Sequence, residues 1–178
     1  KIIHDCKQGY WQGLNVTIPH KIEAAQHVLC DDVAAQAKAV NTLYHHQGYL
    51  HGTITDVDGV REPLRVMAFP ETHGSALILG SGGAARAACI ALAQLGSVIH
   101  VYARNFSAAQ EMLGCVSSKQ RGIIITPETS TLLEKVLPEL SAIIQATPVG
   151  RNGEFFLLPW ENLPSTCIAF EMLYWPKV

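Results

Sequence analysis

Ser75-Ala76-Leu77-Ile78-Leu79-Gly80-Ser81-Gly82-Gly83-Ala84-Ala85-Arg86-Ala87 is the stretch that decides how this chain folds. An apolar run too short for a helix ends in glycines, and small residues follow, which reads as strand, tight turn and helix. The glycines keep the GxGxxG/A spacing. Gly80 permits the sharp turn, Gly82 lets backbone approach a pyrophosphate, and Ala85 is small enough for the helix to pack close to the strand. Gly83 and Ala84 open that helix, whose free N–H groups suit an anion. The stretch therefore predicts a dinucleotide-binding turn; the competing reading is a strand-helix turn that binds nothing.

Further apolar runs at 98–102, 123–125, 142–145 and 167–170 alternate with helical segments, the pattern of a parallel α/β sheet of Rossmann type. The first of them ends in Ala103-Arg104-Asn105, about 20 residues past the glycines, where an NAD enzyme usually carries an acid for the ribose. No acid stands there. The Arg104 guanidinium can instead pair with a 2′-phosphate through two parallel hydrogen bonds, so NADP is expected over NAD. An ordinary solvated arginine is the alternative.

Toward the N-terminus, Asn15-Val16-Thr17-Ile18 alternates polar and apolar residues and meets Pro19, predicting a strand followed by a helix with proline in its first turn. That helix would carry Lys21 and run through Ile22, Ala25, Val28 and Leu29. Asp31-Asp32 can cap a second helix over 33–39. Segments 40–44 and 49–53 read as strands around His45-His46-Gln47-Gly48, a hairpin that sets Asn41 opposite Gly52 or Thr53. Asp56 follows a few residues later, and at ~3.3 Å per residue it falls within roughly 10 Å of Asn41. Residues 61–75 lose their period and contain Pro63, Pro70 and Gly74, which predicts a connection with a boundary near Glu71. The expected architecture is α/β, with a partial α/β substrate-binding domain over 1–70 and a Rossmann-type nucleotide domain over 71–178.

The 178 residues are 48% hydrophobic and 16% charged, enough for one large core or two small ones. A formal charge of -2 offers no basic surface for a phosphate backbone, so a nucleic-acid partner is not expected. No apolar stretch approaches the roughly 20 residues that span a bilayer, so no membrane segment is expected. Cys6, Cys30, Cys89, Cys115 and Cys167 lie far apart, which predicts reduced packing thiols in a cytoplasmic protein. His45, His46 and His51 lack metal-site spacing and read as polar surface, while Trp11, Trp160 and Trp175 read as core or rim. The chain starts at Lys1 as if inside a folded domain, which reads as a piece of a longer protein.

Reducing a ketone with hydride leaves an alkoxide, which needs a proton source and a balancing charge nearby. A lysine beside a carboxylate supplies both, and Lys21 with Asp56 are the candidates. Gly13-Leu14-Asn15-Val16-Thr17-Ile18-Pro19-His20-Lys21, Ala39-Val40-Asn41-Thr42-Leu43 and the run from Gly52 through Thr55-Asp56 to Gly59 resemble, in order, the substrate motifs of shikimate dehydrogenases. The glycine loop, Ala146-Thr147-Pro148-Val149-Gly150 and Glu171-Met172-Leu173-Tyr174-Trp175-Pro176 continue the resemblance.

That resemblance implies reversible, metal-free oxidation of shikimate to 3-dehydroshikimate with NADP, on the route to chorismate and the aromatic amino acids. It implies Lys21 and Asp56 as the catalytic pair, with Thr17, Asn41 and Tyr174 around the substrate. Gly80, Gly82, Gly83, Ala84, Arg104, Thr147 and Leu173 would bind the cofactor. Departures are Ile54, where the family's Asn-Thr-Asp has asparagine, Val57, Trp175, Ala103, Ala108, Gln145, Arg151 and Glu171. They leave room for a paralogue acting on quinate or a related acid, or for a non-catalytic NADP-binding module.

Overall fold

The computed structural model describes residues 2–173. The chain begins with α1 (Ile2–Lys7), β1 (Gly13–Asn15), α2 (Lys21–Ala25), β2 (Leu29–Cys30) and α3 (Asp32–Ala37). The hairpin β3 (Thr42–His46) and β4 (Tyr49–Thr53) and the helix α4 (Asp56–Val66) follow. These strands form a mixed sheet in the order β1-β3-β4-β2, with β2 alone running parallel to its neighbour.

The rest is β5 (Ser75–Leu79), α5 (Gly83–Gln94), β6 (Val98–Tyr102), α6 (Phe106–Gly114), β7 (Arg121–Ile125), α7 (Leu133–Val136), β8 (Ala142–Gln145) and β9 (Ile168–Glu171). Here every strand pair is parallel, in the order β7-β6-β5-β8-β9. The glycine-loop strand β5 is central, and the order reverses on either side of it, which places a crevice outside its carboxyl end. Its apolar run is continuous because both faces are covered. Ala76 and Ile78 belong to the cluster that continues into the first sheet, while Leu77 and Leu79 face a second cluster with Ile125, Leu133 and Leu137.

Several local expectations give way to packing. Pro19 does not open a helix: the Ile18-Pro19 peptide is cis and α2 starts two residues later at Lys21. Nor does that helix reach Leu29, because Leu29 and Cys30 pair with His51 and Gly52 along β4. Asp31 does cap α3, accepting from the Ala34 N–H at 2.8 Å. The hairpin turn is tighter than expected, with only Gln47 and Gly48 at the bend. Both have positive φ (50° and 81°), matching the right-handed twist of the flanking strands.

Residues 61–66 are also not connection but the last part of α4. Val57, Val60 and Leu64 are buried at helical spacing, and α4 packs against α5. That burial outweighs the backbone hydrogen bond lost at Pro63 inside the helix. The hydrophobic cluster containing these residues is continuous between the two sheets. A polar tie reinforces it: buried Arg86 of α5 donates to the Ala37 carbonyl at 3.4 Å and pairs with Glu111 of α6 at 3.3 Å.

Cys6 and Cys89 are buried, and Cys30, Cys115 and Cys167 half-buried; none is disulfide-bonded. Burial pushes the Cys89 thiol up to about 12, as expected of an inert packing residue. Among the described residues no group of three or more His, Cys, Asp or Glu is placed to hold a metal ion, and no helix is long and apolar enough to cross a membrane.

Candidate active site

Lys21 is the first residue of α2, and its carbonyl accepts the Val40 N–H at 2.9 Å, tying it to the residue before Asn41. Asp56 is the first residue of α4, the helix that follows β4 after two residues. The Lys21 amine donates to Asp56 Oδ2 at 2.5 Å, with the two side chains 14% and 24% exposed. This is a mostly desolvated ion pair in which each charge depends on the other.

Asn41 holds the other carboxylate oxygen. Its Nδ2 donates to Asp56 Oδ1 at 2.7 Å and to Thr55 Oγ1 at 2.9 Å. Its Oδ1 accepts the Thr55 N–H and the Thr42 hydroxyl, each at 3.0 Å. The rough 10 Å inferred from the hairpin is thus a direct contact, although the two-residue turn shifts the register: Thr42 and Leu43, not Asn41, stand opposite Thr53 and Gly52, and the Asn41 N–H donates to the Thr53 carbonyl just beyond. Thr17 lies exposed after Val16, whose N–H donates to the Asn41 carbonyl at 2.6 Å. Lys21, Asp56 and Asn41 are therefore brought together, and Thr17 borders them.

The glycine loop approaches the same place from the other sheet. Gly80 sits at φ +112°, where a side chain would be strained, and a Cβ there would lie 2.8 Å from Thr147 Cγ2. Gly82 caps α5 without a side chain, and nothing lies within 4 Å of the position its Cβ would occupy. The first N–H groups of α5, at Gly83, Ala84 and Ala85, thus have neither an intrahelical acceptor nor a capping side chain. That open, donor-rich turn fits a pyrophosphate. Arg104 is exposed just past the carboxyl end of β6, beside the loop strand, while its neighbour Asn105 caps α6 through the Ala108 N–H at 3.0 Å.

Beyond β8, Gln145 organises the next turn. Its Oε1 accepts the Thr147 N–H at 2.8 Å and the Thr147 hydroxyl at 2.9 Å, and its Nε2 donates to the Val149 carbonyl at 2.7 Å. Leu173 donates its N–H to Glu171 Oε1 at 2.7 Å, and its Cδ2 would stand 3.7 Å from a Cβ at Gly150. Burial pushes the Glu171 carboxyl above the usual carboxylate range, against the backbone N–H groups of Leu173 and Met172 that lower it. Between these turns opens a cavity of about 290 Å³, lined by Leu79, Gly150, Phe156, Trp160 and Glu171 among others and mostly apolar. Tyr174 and Trp175 lie outside the described residues.

Known proteins share both halves of this arrangement. The family model for the shikimate dehydrogenase substrate binding domain matches residues 1–43. A shikimate dehydrogenase (NADP(+)) of Synechocystis sp. is 36% identical over 176 residues, covering 93% of this chain and 60% of its own length. That of Nitrobacter winogradskyi is 34% identical over 178 residues, covering 98% and 62%. Along nearly its whole length the chain is similar to shikimate dehydrogenases. A crystal structure of shikimate 5-dehydrogenase from Thermus thermophilus, in complex with NADP(H) and shikimate, superposes with a TM-score of 0.78 at 29% identity, covering 98% of this chain and 63% of that one. The chain spans about three fifths of the length of the curated shikimate dehydrogenases it matches.

Ile54 is buried at 3% exposure in the core cluster, so the isoleucine at this position packs beneath Asp56 rather than facing the cleft. Two features of the site escaped sequence reasoning. Gln145 stood out only as a departure, although a polar residue closing the apolar strand Ala142-Ile143-Ile144 was a signal that its amide has a task. The approach of Lys21 to Gly83, where a Cβ would meet Lys21 Cβ at 2.7 Å, had no signal, because it joins separate sheets.

Proposed function

We propose that the protein interconverts shikimate and 3-dehydroshikimate as an NADP-dependent alcohol dehydrogenase, a step toward chorismate and the aromatic amino acids. One observation carries the reading: the Lys21 amine and the Asp56 carboxylate meet at 2.5 Å while the lysine stem lies against the helix that opens the glycine loop. Proton chemistry and nucleotide anchoring are thereby brought to one cleft. The activity of the similar shikimate dehydrogenases supports it.

NADP, when bound, would supply the hydride acceptor for oxidation of the carbinol carbon. In that direction the substrate hydroxyl gives its proton to the pair: Lys21 Nζ passes a proton to Asp56 Oδ2 and takes the hydroxyl's in exchange. In the reverse direction the proton returns to the oxygen as the carbonyl is reduced. Asn41 keeps the carboxylate turned toward Lys21 and, with Thr17, borders the substrate hydroxyls. Gly80, Gly82, Gly83 and Ala84 would hold the pyrophosphate at the α5 N-terminus, and Arg104 would pair with the 2′-phosphate. Thr147 and Leu173 would contribute to holding the cofactor. We assign residues 1–70 to the substrate domain and 71–178 to the NADP domain. The five unpaired thiols suit a reducing compartment, and we place the protein in the cytoplasm.

The test mixes the protein with shikimate and NADP and follows the absorbance of the reduced cofactor. Turnover is expected, with a higher specificity constant for shikimate than for quinate. NADP binding without turnover on either acid would leave a nucleotide-binding module and refute the enzyme reading.

A further inference from the structure

Two consecutive glycines of the loop face different things. At Gly82 a Cβ would meet nothing within 4 Å, which leaves its surface open to a phosphate. At Gly83 a Cβ would lie 2.7 Å from Lys21 Cβ, 3.2 Å from its Cδ and 3.4 Å from its Cγ. Carbons do not pack at 2.7 Å, and Lys21 Cβ is the fixed end of its side chain, so a rotamer change cannot relieve the overlap. One helix start would have to move. Lys21 is restrained at both ends, by the Val40 N–H on its carbonyl and by Asp56 on its amine. Displacing its stem therefore strains one of these bonds or shifts α2.

We propose that Gly83 is a positioning residue for Lys21: the missing side chain lets the lysine stem lie on the first turn of α5 and sets where its amine stands between Asp56 and the substrate oxygen. Gly82 serves the nucleotide, whereas Gly83 serves the lysine as well. This rests on the reading of Lys21 as the proton-transferring amine. Proton transfer is sensitive to such placement, and a shift near 1 Å in a reacting group can lower turnover roughly 100-fold.

The experiment compares Gly82→Ala with Gly83→Ala, measuring NADP affinity by titration and kcat, KM for shikimate and the pH dependence of kcat at saturating cofactor. Gly82→Ala is expected to weaken NADP binding while keeping the wild-type pH profile. Gly83→Ala is expected to lower kcat by about 10- to 100-fold and shift the pH profile, with KM for shikimate changed by less than about threefold, since an interaction expressed in the chemical step is lost. A wild-type kcat and pH profile for Gly83→Ala would overturn the proposal, as would the same kcat and pH profile in both variants.

Thermal unfolding gives a second readout that needs no activity and survives poor folding of one variant. Gly83→Ala should destabilise the protein that carries Lys21 but have little further effect in a Lys21→Gly background, where the stem is gone. Equal loss in both backgrounds would refute the contact. Absence of any turnover by the wild type would instead refute the dehydrogenase reading, leaving this cycle to judge the contact alone.

Discussion

The two halves of the cleft are made of different material. On the side of the first sheet, function rests on side chains: Lys21, Asp56 and Asn41 form a hydrogen-bonded chain of charged and amide groups. On the side of the parallel sheet, function rests on backbone: the first N–H groups of α5 have no capping side chain, and Gly82 leaves open space beside them. A side-chain site is sensitive to one atom's identity, whereas a backbone site is sensitive to added bulk. Arg104 is the exception, a side chain on the backbone-built half.

The strongest way to break the distinction is to loosen the floor that both halves share. Leu64 is fully buried on α4, the helix that starts with Asp56 and packs against the helix of the glycine loop. Leu64→Ala should cost about 2–5 kcal/mol, read as a lowered unfolding midpoint in denaturant, and should impair turnover and NADP binding together. Loss of one without the other would mean the halves are not mechanically joined there.

Arg104→Ala sharpens the comparison from the nucleotide side. Removing a charged hydrogen-bonding partner of the 2′-phosphate should weaken NADP by roughly 10- to 100-fold, the equivalent of ~1.5–3 kcal/mol, and leave NAD binding unchanged in parallel titrations. Equal effects on both cofactors would place the arginine elsewhere.

The smallest effect concerns the parallel sheet alone. His100 Nδ1 accepts the Ile123 N–H at 3.0 Å where the β6-β7 register slips, and burial holds the imidazole below its usual value. The unfolded chain then takes up this proton first, at about pH 6.5. The contribution is fully present above that pH and is lost progressively as the solution is acidified toward the lower folded value. His100→Gln should flatten this part of the stability curve between about pH 7 and 5.5 in denaturant melts at stepped pH.

Much of this was legible in the sequence, for a physical reason. Strands β5, β6 and β8 are mostly apolar and each is preceded by glycine or serine, so their starts are local properties. The Asn41–Asp56 proximity follows from a hairpin whose register its turn fixes. What was misread depends on partners remote in sequence. Pro63 looked like a breaker, but Val57, Val60 and Leu64 find α5 to pack on; Leu29 looked helical, but β4 offers it an edge. Within the site, Gly83 meets Lys21 across the two sheets, and nothing in its own neighbourhood specifies that contact.

The most direct measurement is a single-turnover assay of shikimate oxidation by Lys21→Met, with NADP affinity titrated on the same preparation. Methionine keeps the stem on Gly83 and removes the amine. Hydride transfer should slow by about 10²- to 10⁴-fold, the usual worth of a positioned acid-base group, while NADP affinity stays within about threefold. Transfer at the wild-type rate would contradict the role given to the lysine-aspartate pair.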